Sequence, residues 1–181
     1  MYWERDGYIL RPAVKEDAEE YYEYNFNPLD GETARLTGCK PDFTRDEVVS
    51  FFCQCVDADD RYDFVITAPD GHIIGESVIN EIDRNLRSAN FRIALFHSGK
   101  YGKGIGSWVL ECTLWFAFEE LRLHRLELDV YSFNPRAIRT YEKAGFQREG
   151  VLRDAIRDGN QYGDIILMSM LENEWIDKRF A

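Results

Sequence analysis

Little in this sequence suits a metal centre or a disulfide framework. Its four cysteines, Cys39, Cys53, Cys55 and Cys112, show none of the paired spacings of a zinc site. Cys53 and Cys55 lie two apart in a predicted helix and so point to different faces. All four read as reduced thiols, and no metal is expected. The three histidines, His72, His97 and His124, are scattered singly and take no role. No apolar run approaches the roughly 20 residues of a membrane span. The opening MYWERDGYIL has neither the basic nor the apolar region of a secretory leader, so a soluble, cytoplasmic protein is expected, with no membrane partner. Repeats, low-complexity segments and Pro/Gly/Ser-rich linkers are missing too, which predicts a single domain over residues 1–181.

Positive charge is also scarce. Against 33 acids stand 22 Lys and Arg, a net of -11, which makes nucleic acid a poor partner. The imbalance is local: residues 1–60 carry 15 acids and 6 bases, net -9, and the remaining 121 residues only -2. Such a surface steers a cationic partner toward the N-terminal third, or else simply keeps solvated helix faces soluble.

What is abundant is core material, 45% hydrophobic and 14% aromatic residues. A chain of this size buries about 70% of its unfolded surface. The pattern predicts a strand over 8–11 and a helix over 14–26, stopped by Asn27-Pro28, then an irregular stretch through Pro41. Thr44-Arg45-Asp46-Glu47 has the form of a capping box, and Val48, Phe51, Phe52 and Cys55 supply the apolar stripe behind it. Runs 63–68 and 72–83, joined by Pro69-Asp70-Gly71, predict a hairpin, and 91–97 a further strand. Ten of the fourteen residues over 105–118 are apolar, so the helix predicted for 104–121 is buried on more than one side. Strict alternation marks 125–131 as a strand. Asn134-Pro135 opens a helix that Gly145 closes, and 146–156 and 162–170 flank Asp158-Gly159 as a closing hairpin. The order implies an α/β (α+β) domain, a mixed, mostly antiparallel sheet of about six or seven strands with helices on both faces.

The most specific local feature runs from Gly99 to Gly106, GKYGKGIG, between a strand and a helix start. Glycines at 102, 104 and 106 let backbone N–H groups approach a pyrophosphate, the helix N-terminus adds partial positive charge, and Lys100 and Lys103 reinforce it. The nucleotide-triphosphate loop fails on spacing, because Ile105-Gly106 stands where Lys-Ser/Thr is required. The dinucleotide fingerprint fails at Ser107. Downstream, Asn134, Ile138 and Tyr141 fall on one helix face, whose alternative reading is an N-cap and a core aromatic.

With both segments in view, the sequence resembles the GCN5-related N-acetyltransferases (GNAT). Gly104 and Gly106 match the family's loop pattern Gln/Arg-x-x-Gly-x-Gly/Ala; Asn134, Ala137, Tyr141, Lys143, Gly145 and Phe146 match its later helix. Leu10-Arg11-Pro12 before an acidic helix, and the closing hairpin, are similar to the RimJ/RimL-type branch, so the likeness covers essentially the whole chain. One position departs: Tyr101 stands at the Gln/Arg site, which removes one phosphate contact but leaves the backbone contacts, and Lys100 or Lys103 can compensate.

The resemblance implies acetyl-CoA as co-substrate, bound in a cleft where a parallel strand pair splays apart. Lys100, Tyr101, Gly102, Lys103, Gly104, Ile105 and Gly106 would hold the pyrophosphate, Ile93, Ala94, Leu95 and Phe96 the pantetheine arm, and Asn134 would join the cofactor site. It further implies Tyr141 as the acid that protonates the departing thiolate. Glu76 and Glu81, with Asp83 nearby, are candidate bases or else solvent-facing carboxylates; Glu76 and Glu81 differ in parity, so a regular strand points at most one of them into a site. The implied acceptor is the primary amine of a positively charged molecule, either a protein N-terminus or a small amine such as a polyamine. A non-catalytic acyl-CoA-binding sensor or interaction module is the alternative. The apolar helix near 105–118 and four tryptophans leave room for a homodimer surface.

Overall fold

The chain, seen as a computed structural model, is described over residues 2–40 and 42–180. It groups into two compact units, the first running to Asn80 and resuming over Arg92–Cys112, the second comprising Glu81–Phe91 and the chain from Thr113 onward.

The first unit opens with a hairpin of β1 (Trp3–Arg5) and β2 (Tyr8–Pro12). Asp6 and Gly7 connect them, both at positive φ (52° and 79°), as a two-residue Asp-Gly turn requires. β1 is the strand that sequence reading left out, and it raises the count from the expected six or seven to eight. After one 3-10 turn over Lys15–Asp17, α1 (Ala18–Asn25) follows, inside the predicted 14–26 but starting four residues later. The next segment, predicted irregular, contains a short helix, α2 (Gly31–Thr37). Its apolar period is too weak to read, but its ends are marked: the Asp30 side chain accepts the Thr33 N–H at 2.9 Å, and Gly38 terminates it at φ 71°.

The predicted capping box opens α3 (Arg45–Asp57): Thr44 Oγ1 accepts from the Glu47 N–H, and Glu47 Oε2 accepts from the Thr44 N–H at 2.8 Å. Val48, Phe52 and Cys55, at i, i+4 and i+7, are buried, whereas Phe51 at the margin of that stripe is 56% exposed. Their partners are Ala18 and Tyr21 of α1 and Val65, Ile73 and Phe96. Burial of each large apolar side chain in this layer contributes about 1.5–3 kcal/mol. β3 (Tyr62–Thr67) and β4 (Ile73–Asp83) form the expected antiparallel hairpin, with Val65 opposite Glu76.

β5 (Ser88–Leu95) starts three residues before its predicted position. In the second unit its first residues pair in parallel with β6 (Arg125–Tyr131) over three positions, Ser88–Arg125, Ala89–Leu126 and Asn90–Glu127, although both strands continue further. β6 alternates buried and exposed as predicted. Between the two strands the chain runs through α4 (Ile105–Trp115), on which only Ser107 and Glu111 are exposed, and a five-residue π-type turn, Phe116–Glu120. Asn134 caps α5 (Pro135–Ala144), its Oδ1 accepting the Ala137 N–H at 3.2 Å, and Gly145 ends it at φ 106°.

β7 (Gln147–Asp158) and β8 (Gln161–Leu171) pair antiparallel, and β8 lies between β6 and β7. The connecting residues are Gly159 and Asn160, one place later than the predicted Asp158-Gly159; Gly159 at φ 60° takes the first position of the turn, where glycine is preferred in type II′. A last helix, α6 (Glu172–Phe180), stacks Trp175 on Phe118 and donates the Trp175 Nε1–H to Glu119 at 2.9 Å. The strand order is β1-β2-β3-β4-β5-β6-β8-β7. No helix among the described residues is long and apolar enough to cross a membrane.

Candidate active site

In the first unit, β5 leads into a single 3-10 turn, Ser98–Lys100, and then into the glycine segment. Gly102 (φ 76°) and Gly104 (φ 78°) occupy the left-handed region, which bends the chain into α4. The Trp108 N–H donates to the Gly104 carbonyl at 3.1 Å, so the amides of Ile105, Gly106 and Ser107 fall in the first turn, where a helix supplies no acceptor. A Cβ built on Gly102, Gly104 or Gly106 would meet nothing within 4 Å. For Gly106, which has no positive φ, no part of the chain therefore demands glycine, and its missing side chain leaves backbone open to close approach from outside. The donor set of helix amides beside Lys100 and Lys103 fits a pyrophosphate.

Tyr101 turns its hydroxyl inward. It donates to the Leu95 carbonyl at 3.1 Å and lies 2.9 Å from Thr33 Oγ1 on α2. Thr33 is fully buried, and Asp30 beside it also accepts from Ser98 Oγ at 2.8 Å. Burial alone would raise the Asp30 carboxyl, but the Thr33 and Ser98 donors outweigh it and hold it below its ordinary value. The Phe96 N–H is likewise engaged, donating to the Ile74 carbonyl at 2.9 Å. Within the predicted pantetheine segment, then, Leu95 O and Phe96 N serve the protein. Gly75 packs directly beneath: a Cβ there would lie 2.3 Å from the Ala94 carbonyl oxygen.

Glu76 is separated from the other candidate bases. Its Oε2 accepts the Tyr21 hydroxyl at 2.7 Å, and its Oε1 lies 3.1 Å from the Arg92 guanidinium; the side chain is 14% exposed. Burial, and next the Glu76 charge, push the Tyr21 phenol well above its ordinary value, so Tyr21 remains a donor. Glu81 is exposed and sits at φ 55°, so of the two glutamates only Glu76 is drawn in, as opposite parity allows. Asp83 is spent on the β4–β5 turn, where it accepts from the N–H groups of Asn85 and Leu86 at 2.8 and 2.9 Å.

In the second unit, Tyr141 is buried on α5 between Phe91 (6.4 Å, edge-on) and Phe146 (5.9 Å). Burial, then the Asp129 charge, raise its phenol, which keeps the proton on at neutral pH. The cysteines match the thiol reading: burial pushes Cys112 up to about 11 and raises Cys55 as well. Among the described residues, no group of three His, Cys, Asp or Glu side chains could hold a metal ion.

Thr33, Gly75, Tyr21 and Arg92 were not singled out from sequence. Only Gly75 carried a signal, as an isolated glycine inside a strand pattern. The others belong to the site through contacts across 55 to 68 residues of chain or from the neighbouring strand.

The chain is 33% identical over 116 residues to the SPbeta prophage-derived N-acetyltransferase YokL of Bacillus subtilis, covering 64% of this chain and 65% of that protein. It is 30% identical over 115 residues to the spermidine N(1)-acetyltransferase of Vibrio cholerae, covering 64% and 66%. The match thus spans less than two thirds of either relative's length. Among solved structures, the V. cholerae spermidine N-acetyltransferase in complex with CoA and spermine superposes with a TM-score of 0.82 at 25% identity, over 95% of this chain and 99% of that one. The ribosomal-protein-S5-alanine acetyltransferase of Vibrio fischeri, at 20% identity, a TM-score of 0.81 and coverage of 97% and 98%, shares the fold. Residues 8–147 match the acetyltransferase (GNAT) domain, most of the chain, and with the glycine cradle and the α5 motif in place this protein belongs to the GNAT acetyltransferase family.

Proposed function

We propose that this protein transfers the acetyl group of acetyl-CoA to a primary amine of a small cationic acceptor of the polyamine class. The glycine cradle carries the reading: three glycines whose missing side chains face open space, at the start of a helix, beside two lysines. Residues 100–106 would hold the pyrophosphate through backbone amides, while Ile93 and Ala94 offer strand edges to the pantetheine arm. Two observations favour a small cation over a protein N-terminus: the net charge of -9 over residues 1–60, and the spermidine acetyltransferases among the relatives. A place beside the RimJ/RimL-type enzymes and a cytoplasmic setting accord with an acetyl-CoA-dependent reaction.

The acceptor amine must lose a proton before it attacks the thioester. An alkylamine with a pKa near 10.4 needs a base at neutral pH. We assign that role to Glu76, directly or through water, because Glu81 is exposed and Asp83 already caps a turn. Attack gives a tetrahedral oxyanion whose collapse breaks the C–S bond and releases CoA thiolate. Tyr141, which holds its proton, donates it to that sulfur. A thiolate leaving in a dry environment has a raised proton affinity as well, which offsets the reluctance of the buried phenol.

The test is CoA release from acetyl-CoA, followed by mass spectrometry, with polyamines, aminoglycosides and short Ser-, Ala- or Met-started peptides in separate pools. Acetylated polyamine is the expected product. Turnover confined to the peptide pool would overturn the acceptor class, and acetyl-CoA binding with no product in any pool would favour a sensor over an enzyme.

A further inference from the structure

Tyr101 occupies the loop position where a Gln or Arg would reach toward phosphate, yet its hydroxyl is committed in the opposite direction. The contacts form a relay: Thr33 Oγ1 lies 2.9 Å from Tyr101 Oη, and Tyr101 Oη donates to the Leu95 carbonyl at 3.1 Å, while the Thr33 hydroxyl also reaches the Asp30 carboxylate at 3.0 Å and the Leu95 carbonyl at 3.3 Å. Asp30 then receives the Thr33 N–H at 2.9 Å and the Ser98 hydroxyl at 2.8 Å. Four segments of the first unit meet here: the N-terminus of α2, the end of β5, the 3-10 turn and the glycine loop.

The helix on the far side of this relay is short. α2 has seven residues, well below the roughly 12–15 at which a helix sustains itself in water. Its one fully buried side chain is Thr33, a polar group. Ala34 packs, partly buried, against the core cluster that holds Leu29, and a hydroxyl and an N-cap carboxylate tie the helix to the segment from Leu95 to Tyr101. Gly102, which directly follows Tyr101, and Gly104 take φ 76° and 78°, so Tyr101 is joined directly to the loop whose backbone amides face the anion site.

We propose that Tyr101 is a positioning residue that couples occupancy of the glycine cradle to the order of α2, through the Thr33–Tyr101–Leu95 relay. The proposal rests on the reading of that cradle as the CoA site. Binding at the loop tightens the relay and fixes α2, so the acidic N-terminal segment is shaped by cofactor occupancy. By reciprocity, whatever orders α2 raises affinity for CoA by the same factor.

Hydrogen exchange read by mass spectrometry tests this with CoA itself as the probe and no acceptor. In the wild-type chain, saturating CoA should slow exchange across Gly31–Thr37 by about fivefold or more, the lower end of measured coupling. Tyr101→Phe keeps the ring and deletes the relay. At CoA concentrations that calorimetry shows to be saturating for the variant, the slowing in α2 should drop below about twofold, a loss of most of the coupling. Thr33→Val removes the same relay from the α2 side without altering the loop, and should lose the slowing equally; it decides the matter should Tyr101→Phe fold poorly. Wild-type CoA binding that leaves α2 exchange unchanged, or equal slowing in wild type and both variants, would overturn the coupling. No CoA binding to the wild type by calorimetry would overturn the functional reading itself, and the proposal with it.

Discussion

At the residue scale, the proposed chemistry rests on two groups in contrasting surroundings. Tyr141 lies among aromatic rings and keeps its proton, so Tyr141→Phe removes the acid and little else. Turnover should fall by about 100-fold or more, the typical worth of a positioned acid. CoA affinity measured by calorimetry should stay close to wild type, and unchanged turnover would remove Tyr141 from the mechanism. Glu76 is held by donors on both oxygens, Tyr21 and Arg92. Glu76→Gln should slow turnover at pH 7 and lose that deficit as pH rises toward about 10, where an alkylamine acceptor deprotonates unaided. A pH–rate profile parallel to that of the wild type would show that Glu76 is not the base.

At the scale of elements, two devices set the site's stability and shape. The Thr44 capping box satisfies donors at the start of α3, and Thr44→Ala should cost about 1 kcal/mol, read as a lower urea midpoint with unchanged slope. Gly75 lets β4 and β5 approach. Gly75→Ala must displace the Ala94 carbonyl, which a Cβ would otherwise meet at 2.3 Å. That shift lies in the segment assigned to the pantetheine arm, so the KM for acetyl-CoA should rise together with a loss of thermal stability. A variant with normal stability and normal KM would show that the strand yields without consequence.

These elements also divide what could be read in advance from what could not. The capping box, the Asn134-Pro135 helix start and the alternation over Arg125–Tyr131 are local codes, in which each residue acts within one turn or one strand pair, and all appear as read. The missed pieces have different causes. α2 is too short for periodicity to register, although Asp30 and Gly38 mark its ends. β1 hid behind an Asp-Gly turn only three residues after its start, and the β7–β8 turn slipped by one residue because glycine suits the first position of a two-residue loop. The positive φ of Glu81 cannot be seen in an apolar/polar pattern, although Glu81 is exposed and Glu76 is not, in line with their opposite parity.

At the scale of the whole molecule, charge governs the response to pH. Arg125 donates to Glu149 at 2.8 Å, and with the Ser169 hydroxyl it brings that carboxyl down to about 2, from about 4.5 when unpaired. A carboxyl lowered in the folded state contributes stability that is full above its unfolded value and lost as pH falls through the folded one. Thermal midpoints should therefore drop between about pH 5 and pH 2, and Glu149→Gln should flatten part of that drop; the pair is largely exposed, so the effect is small and weakens with salt. A wild type and variant with superimposable pH curves would show the pair to be inert.

The sequence by itself determined the motifs on which the proposed reaction rests. The glycine segment, the α5 motif and the acidic first third are codes of adjacent residues, and the cysteine spacing and net charge made a zinc site and a nucleic-acid surface poor expectations. Tertiary structure decided how those parts are used. Glu76, Glu81 and Asp83 are the same kind of side chain along one stretch of chain; Tyr21, 55 residues away, and Arg92 on the neighbouring strand single out Glu76. Tyr101 looked like a lost phosphate contact until α2, 68 residues earlier, supplied Thr33 beside its hydroxyl. Hydrogen bonds and ion pairs act over about 3 Å, and only the folded chain brings residues so distant in sequence within that range.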